Sequence, residues 1–96
     1  MRLTEREEGL LLNLIEEANE VAQMAAKYLR FGSDSFNPED PEETPNRILL
    51  AKEIGNLEHI SLLMKREGFI DPGFVQRGRR EKESRLEKYP LIVRQK

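Results

Sequence analysis

The 96-residue chain contains no cysteine, and His59 is its single histidine. The absence of cysteine excludes a disulfide scaffold, a thiolate zinc site and a cysteine nucleophile. One histidine leaves almost no support for a Ser-His-Asp triad, and we interpret His59 as a surface or interface residue. Any chemistry must therefore use carboxylates, amides, lysines and arginines, or a bound metal ion.

Long hydrophobic runs are also absent, since the longest apolar stretches have three or four residues, as at 10–12 and 48–51. This excludes a membrane span. The first residues, MRLTEREEG, are charged where a signal peptide would be apolar. The chain also has no large excess of positive or negative charge, since it contains 16 basic and 18 acidic residues. This balance excludes a uniformly basic nucleic-acid binder.

Three segments are predicted to be helical and none to be a strand, within one domain over residues 1–96. The first helix covers 4–30, where Thr4 and Glu7 form a capping-box pattern, and Gly32 ends it. At 1.5 Å per residue this helix is about 40 Å long, whereas a 100-residue globule has a radius of gyration near 13 Å. So long a helix indicates a bundle that is completed by oligomerisation.

A proline-rich, acidic loop over 33–44 leads to a second helix over 45–67. Thr44 as N-cap and Pro45 at the first helical position predict where this helix begins. Asp71 and Pro72 repeat this pattern of a cap followed by proline, and they open a weaker third helix over 72–89. Basic residues predominate from there to the C-terminus. Because glutamates are interleaved with them, we favour a solvated helix face over nucleic-acid contact. The predicted fold is all-α, with two long antiparallel helices and a shorter C-terminal helix.

The first helix has an apolar stripe flanked by a polar band. The stripe is predicted to hold Leu10, Leu14, Ala18, Val21, Ala22, Ala25, Tyr28 and Leu29. The band contains Met24 together with Glu17 and Glu20, which are three residues apart and so share a face. Glu16 lies further round, towards solvent. For this helix alone, the solvated edge of an amphipathic helix explains the band.

In the second helix a carboxylate, Glu53, falls near the centre of the apolar face. That face also carries Asn56 and the residues Leu49, Leu50, Leu57, Ile60, Leu63 and Met64, and Asn46 is aligned with Glu53. A carboxylate in a buried face is costly unless its charge is compensated. Lys27 or Arg30 could pair with it and fix the register of the bundle. Alternatively, carboxylates of a facing helix could share a metal ion with it, and Mg²⁺ prefers such oxygen ligands.

Several of these residues resemble a known family. Residues 16–20, EEANE, match the E-E-x-x-E motif of the MazG-like all-α nucleoside triphosphate pyrophosphohydrolases, and residues 53–56, EIGN, resemble its second motif, E-x-x-D. Residues 27–32, KYLRFG, are similar to a K-x-L-R-F-G stretch of phage-type members, and Asn46 fits the same pattern. The resemblance covers roughly residues 8–66.

The resemblance implies an all-helical homo-oligomer, a dimer or a tetramer, that cleaves a nucleoside triphosphate between its α- and β-phosphates. The products would be a nucleoside monophosphate and pyrophosphate, and the cofactor would be Mg²⁺, with Mn²⁺ as an alternative. The implied location is the cytoplasm, or the host cytoplasm if a phage encodes the chain. No membrane or nucleic-acid partner is expected.

By position, the resemblance assigns catalytic and metal-binding roles to Glu17, Glu20 and Glu53, with Glu16 as an auxiliary catalytic carboxylate. It makes Lys27, Arg30 and Asn46 candidates for contacts to the substrate's phosphates or sugar. The fourth metal position is Asn56, where the family has aspartate. An amide oxygen can bind Mg²⁺, but it carries no negative charge and cannot act as a base.

Two other hypotheses remain open. Asn56 favours a catalytically degenerate relative that binds a nucleotide or a protein partner. A purely structural helical module is the third possibility, and it requires Glu53 to pair with a lysine or an arginine.

Overall fold

The structure, a computed structural model, describes residues 2–89 and 91. Three α-helices account for most of them: α1 spans Glu5–Phe31, α2 spans Asn46–Arg66 and α3 spans Pro72–Lys88. No strand occurs in the described part of the chain, so the all-α fold predicted from the sequence is confirmed. None of these helices is long and apolar enough to cross a membrane. The end of the basic C-terminal stretch, 92–96, lies outside the described residues.

The capping box predicted at the start of α1 is present. The Thr4 hydroxyl accepts a hydrogen bond from the Glu7 amide at 3.0 Å, and the Glu7 carboxylate accepts one from the Thr4 amide at 2.9 Å. α1 ends at Phe31, one residue beyond the predicted limit, and Gly32 follows with a φ of 92°. Glycine adopts this conformation without the steric penalty of a Cβ atom.

α2 begins one residue later than the sequence predicts, because the N-cap is Pro45 and not Thr44. The Thr44 amide instead donates a hydrogen bond to the Asp40 carboxylate, at 2.9 Å, and the Glu42 amide donates another at 2.9 Å. These two backbone hydrogen bonds lower the pKa of Asp40. Asp40 therefore organises the acidic loop that Thr44 belongs to.

The loop also replaces the missing side-chain cap of α2. The Asn46 amide donates to the Ser35 carbonyl at 2.9 Å, and the Arg47 amide donates to the Ser33 carbonyl at 3.1 Å. The first amides of a helix need partners from outside the helix, and here backbone carbonyls supply them. The correction to Thr44 thus follows from tertiary folding of the loop over the start of α2.

α1 and α2 pack side by side and enclose the core, whose buried side chains are Leu10, Met24 and Met64. The face predicted for α2 is confirmed, since each of its six apolar residues is buried or half-buried. The stripe predicted for α1 is partly wrong. Met24 of the polar band is buried, whereas half of the stripe is exposed, namely Ala18, Ala22, Tyr28 and Leu29. A long, flexible methionine fills the space between two helices better than an alanine does.

An ion pair between Arg6 and Glu67 joins the start of α1 to the residue after α2. The pair is bidentate, with both nitrogen–oxygen distances at 2.8 Å. Arg6 lies fourteen residues before Glu20, and Glu67 lies fourteen residues after Glu53. Because both helices rise by the same 1.5 Å per residue, the register of this ion pair also places Glu20 opposite Glu53.

α3 extends from the α1–α2 pair as an arm. Asp71 is its N-cap, as the sequence predicts, and accepts a hydrogen bond from the Gly73 amide at 2.7 Å. No residue of α3 is buried, and Phe74 is 67% exposed. The radius of gyration is accordingly 16.6 Å, well above the value of about 13 Å for a 100-residue globule.

Leu10→Ala should therefore lower the free energy of unfolding by about 2–5 kcal/mol, because it leaves a cavity in a small core. Leu12, on the same helix, is 61% exposed, so Leu12→Ala is the matched control with a much smaller expected effect. Urea denaturation followed by circular dichroism measures both. An equally large loss in the Leu12→Ala variant would contradict this packing and indicate that another copy covers Leu12.

Candidate metal centre

Three glutamates from two helices converge in the groove between α1 and α2. Glu17 and Glu20 lie on adjacent turns of α1, and Glu53 faces them from α2. One carboxylate oxygen from each residue lies within 4.8 Å of the other two, and all three residues are half-buried. The structure thus brings together three of the four residues to which the resemblance assigns a metal.

No protein cation neutralises this cluster in the described part of the chain. The ion pairs among the described residues join Arg6 to Glu67, Arg47 to Asp34 and Arg77 to Glu81, and none of them includes a glutamate of the cluster. Lys27 and Arg30, the alternative partners considered for Glu53, form no ion pair with it among the residues the structure describes. The structural-module hypothesis required such a pair, so the arrangement lends it no support.

One oxygen of the cluster has no hydrogen-bond partner. The Glu17 Oε2 atom is buried and accepts no hydrogen bond from any described residue. A buried carboxylate oxygen without a donor is unfavourable by the full desolvation penalty of that atom. A cation placed among the three carboxylates would remove this penalty.

The crowding of the carboxylates raises the pKa of Glu20. The largest cause is a hydrogen bond between the Glu20 and Glu53 carboxyl groups, followed by desolvation and by the negative charges of Glu17, Glu53 and Glu16. A protonated Glu20 can donate to Glu53, whereas two ionised carboxylates at this distance repel each other. The raised pKa of Glu20 therefore reflects how closely the carboxyl groups approach one another.

The cluster could hold a cation that prefers oxygen ligands. Mg²⁺ binds oxygen ligands at about 2.1 Å, so two ligands on opposite sides of the ion are about 4.2 Å apart. Oxygens that already lie within 4.8 Å of one another need only small side-chain rotations to reach such distances. Water molecules and substrate phosphates usually complete the shell of Mg²⁺, and the groove leaves one side of the cluster open.

The two remaining residues of the motifs lie at the edge of the cluster. Asn56 is exposed, and its side-chain NH₂ group donates to Glu53 Oε2 at 3.5 Å. In this arrangement Asn56 presents a donor to Glu53, whereas a metal ligand would present its oxygen. Glu16 is exposed on the outer side of α1, and its charge acts on Glu20 only as the smallest of the contributions to the raised pKa.

A cavity of about 550 Å³ opens where the acidic loop meets the helices. Lys27 and Asn46, two of the three candidates for substrate contacts, line it. Asn46 is 6% exposed, and its NH₂ group donates to the Gly32 carbonyl at 3.0 Å, so it also holds the loop against the helices. Arg30 does not line the cavity. It is exposed, with its guanidinium 5.5 Å from the centre of the Phe31 ring.

This cavity belongs to the same groove as the glutamates. Lys27 lies seven residues after Glu20 on α1, and Asn46 lies seven residues before Glu53 on α2. Seven residues are two helical turns, or about 10 Å along the axis. The cavity and the carboxylates therefore lie side by side along one groove.

Two aromatic residues of the cavity, Phe31 and Phe36, were not among the site residues predicted from the sequence. They are 59% and 41% exposed, and both line the cavity. The signal for Phe36 was its position in a loop that otherwise consists mostly of polar residues, prolines and acids. Only the folding of this loop over the end of α1 brings the two rings to one cavity.

Comparisons of this chain with protein-family models, with curated proteins and with solved structures find no match.

Glu20→Gln should raise the melting temperature of the metal-free protein at pH 7 by a few degrees. The raised pKa of Glu20 means that its ionised form is unfavourable in the folded state. The stability that the protonated carboxyl contributes is present below the usual glutamate pKa, and it is lost as the pH rises through the folded-state pKa. The gain from the substitution should therefore vanish near pH ~4, where the carboxyl is protonated. Thermal unfolding in EDTA measures it, with Glu16→Gln as the control of smaller effect. An equal gain at both pH values would contradict the crowding of the carboxylates.

Proposed function

We propose that this chain is a Mg²⁺-dependent nucleoside triphosphate pyrophosphohydrolase that acts as a homo-oligomer, similar to the MazG-like enzymes. The observation that carries the proposal is the convergence of Glu17, Glu20 and Glu53. These residues come from two short motifs separated in the sequence by the acidic loop, and the antiparallel pair of helices brings them to one place. A chance acidic surface would not bury an unpartnered carboxylate oxygen.

The neighbouring cavity supports a nucleotide as the substrate. A nucleoside could occupy the cavity of about 550 Å³, a size usual for small-molecule sites, while its phosphates extend along the groove to the glutamates. The exposed rings of Phe31 and Phe36 offer faces on which a base can stack. Lys27, beside them, offers an ammonium group to the phosphates.

Each carboxylate then has a defined task. Glu17, Glu20 and Glu53 would hold the cation, whose positive charge would offset the repulsion among the three carboxylates. A bound Mg²⁺ neutralises phosphate charge and lowers the pKa of an attacking water molecule. Glu16, which is exposed on α1, would act as an auxiliary carboxylate. Cleavage between the α- and β-phosphates would release the monophosphate and pyrophosphate.

Glu53→Gln should decrease Mg²⁺-dependent pyrophosphate release by about 100-fold or more, because a charged metal ligand is lost. Glu58→Gln is the matched control, since Glu58 lies on the same helix but outside the cluster and should leave the rate unchanged. The assay measures pyrophosphate from a panel of NTPs and dNTPs with Mg²⁺, Mn²⁺ or EDTA. Equal rates for the Glu53→Gln variant and the unchanged chain would refute the assignment, provided that the helical circular dichroism of the variant is intact.

A second candidate function is a degenerate member of the same family that binds a nucleotide or a protein without cleaving it. The presence of Asn56 at the position of the family's aspartate favours this candidate, because an amide carries no negative charge and cannot act as a base. The fourth position then contributes neither charge nor a base, which weakens the metal site.

Asn56→Asp distinguishes the two candidates. If the natural site is degenerate, the added carboxylate should increase the affinity for Mg²⁺ about tenfold or more and increase or create turnover. Isothermal titration with Mg²⁺ and the pyrophosphate assay measure the two effects. An active natural chain that gains neither affinity nor rate from the substitution would exclude the degenerate candidate.

A further inference from the structure

A second and larger cavity, of about 700 Å³, lies between α2 and α3. It is formed by the side of α2 that faces away from α1, so it is separate from the glutamate groove. Positions 58, 62 and 65 of α2 face the cavity, whereas Glu53 and Leu57 face α1. Nothing in the proposed function uses this cleft.

Basic side chains from two helices meet in the cleft. Lys65 comes from α2 and Arg79 from α3, and His59 adds an imidazole. Glu58 is the one acidic residue of the lining, so the lining carries a net positive charge even with a neutral histidine. Within residues 2–89, neither Lys65 nor Arg79 forms an ion pair with a carboxylate.

Arg79 forms no ion pair among the described residues, whereas a neighbouring basic residue of α3 does. Arg77 is neutralised by Glu81, with 3.0 Å between Nε and Oε1. Arg79 instead makes one long hydrogen bond, of 3.4 Å, to the Gln76 side chain. Its guanidinium therefore keeps donors for a ligand in the cleft, in the planar arrangement that suits phosphate oxygens.

The remaining lining gives the cleft room and apolar walls. Leu62 and Val75 supply apolar surface from the two helices, and the Ser61 hydroxyl is a further polar group. Gly55 leaves part of the wall without a side chain, although a Cβ atom there would meet nothing within 4 Å. Glycine is unfavourable inside a helix, and packing does not require it at this position.

We propose that this cleft binds a phosphorylated small molecule of nucleotide size, with Lys65 and Arg79 on the phosphate group. The volume of the cleft lies in the range of small-molecule sites, and it exceeds what a bare phosphate ion fills. The apolar walls take the organic part of the ligand. Because the two cations belong to different helices, the ligand links α3 to α2, which the described residues otherwise join only weakly.

The test is a titration of the full chain with adenosine monophosphate, pyrophosphate and inorganic phosphate in the presence of EDTA. Amide chemical shifts locate the binding, and isothermal titration gives the affinity. We expect saturable binding of the monophosphate with shifts at Ser61, Leu62 and Val75. Inorganic phosphate should bind more weakly because it does not reach the apolar walls, and pyrophosphate separates the contribution of charge from that of the organic part.

Matched variants distinguish binding in the cleft from nonspecific attraction of the anion to basic residues. Lys65→Gln and Arg79→Gln should each weaken binding about tenfold. Lys52→Gln on α2 and Arg85→Gln on α3 remove the same charge outside the cleft, and should change the affinity by no more than about twofold. Gly55→Leu should also weaken binding, because it fills the cleft without changing a charge and replaces glycine with a better helix former.

Several results would overturn the proposal. These are no saturable binding of any of the three probes, equal losses in the control variants, and shifts at Glu17 and Glu20 in place of the cleft. Binding of a single-stranded oligonucleotide together with no binding of the small probes would assign the basic residues to nucleic acid instead. Glu53→Gln should retain the binding, so failure of the proposed pyrophosphohydrolase activity and failure of the cleft are distinguishable.

Discussion

The antiparallel packing of α1 against α2 is the one extensive tertiary contact in the part of the chain that the structure describes, and the candidate site depends on it. Leu10, Met24 and Met64 are the apolar side chains buried in this packing. The bidentate contact between Arg6 and Glu67 has the register that sets Glu20 opposite Glu53. A shift by one helical turn would move Glu53 about 5.4 Å along α1 and disperse the carboxylates.

The three glutamates lie in a helix interface where apolar side chains would be more stable than carboxylates. A half-buried position opposite other glutamates is unfavourable for an ionised side chain, and both the raised pKa of Glu20 and the unpartnered oxygen of Glu17 reflect that conflict. Such local conflict with folding is typical of functional positions.

The two faces of α2 have different characters. One face meets α1 and carries Glu53, so it is acidic and half-buried in the groove. The opposite face borders the cleft with α3, where Lys65 of α2 and Arg79 of α3 outnumber the single acidic residue, Glu58. One helix thus separates a candidate cation site from a candidate anion site.

Local signals in the sequence were sufficient for the three helices, the capping box of Thr4, the cap at Asp71 and the apolar face of α2. These features depend on residues within a few positions of one another, and short-range sterics and hydrogen bonding govern them. The sequence also showed that Glu53, a carboxylate, lies within that apolar face, because helical periodicity assigns each residue to a definite side of the helix. The predicted start of α2 was one residue too early. The first amides of this helix donate to carbonyls of the loop, and no local sequence pattern reports such contacts.

The sequence by itself therefore determined which segments are helical and which residues of each helix could carry chemistry. The tertiary structure decided which of those residues meet. In the structure Met24 is buried and Glu17 and Glu20 are half-buried, whereas Ala18 and Ala22 are exposed, because the contact face of α1 depends on the shape of the partner helix. The tertiary structure also brought Phe31 and Phe36 into one cavity and Lys65 and Arg79 into one cleft, since these contacts join residues that are distant along the chain or on separate helices.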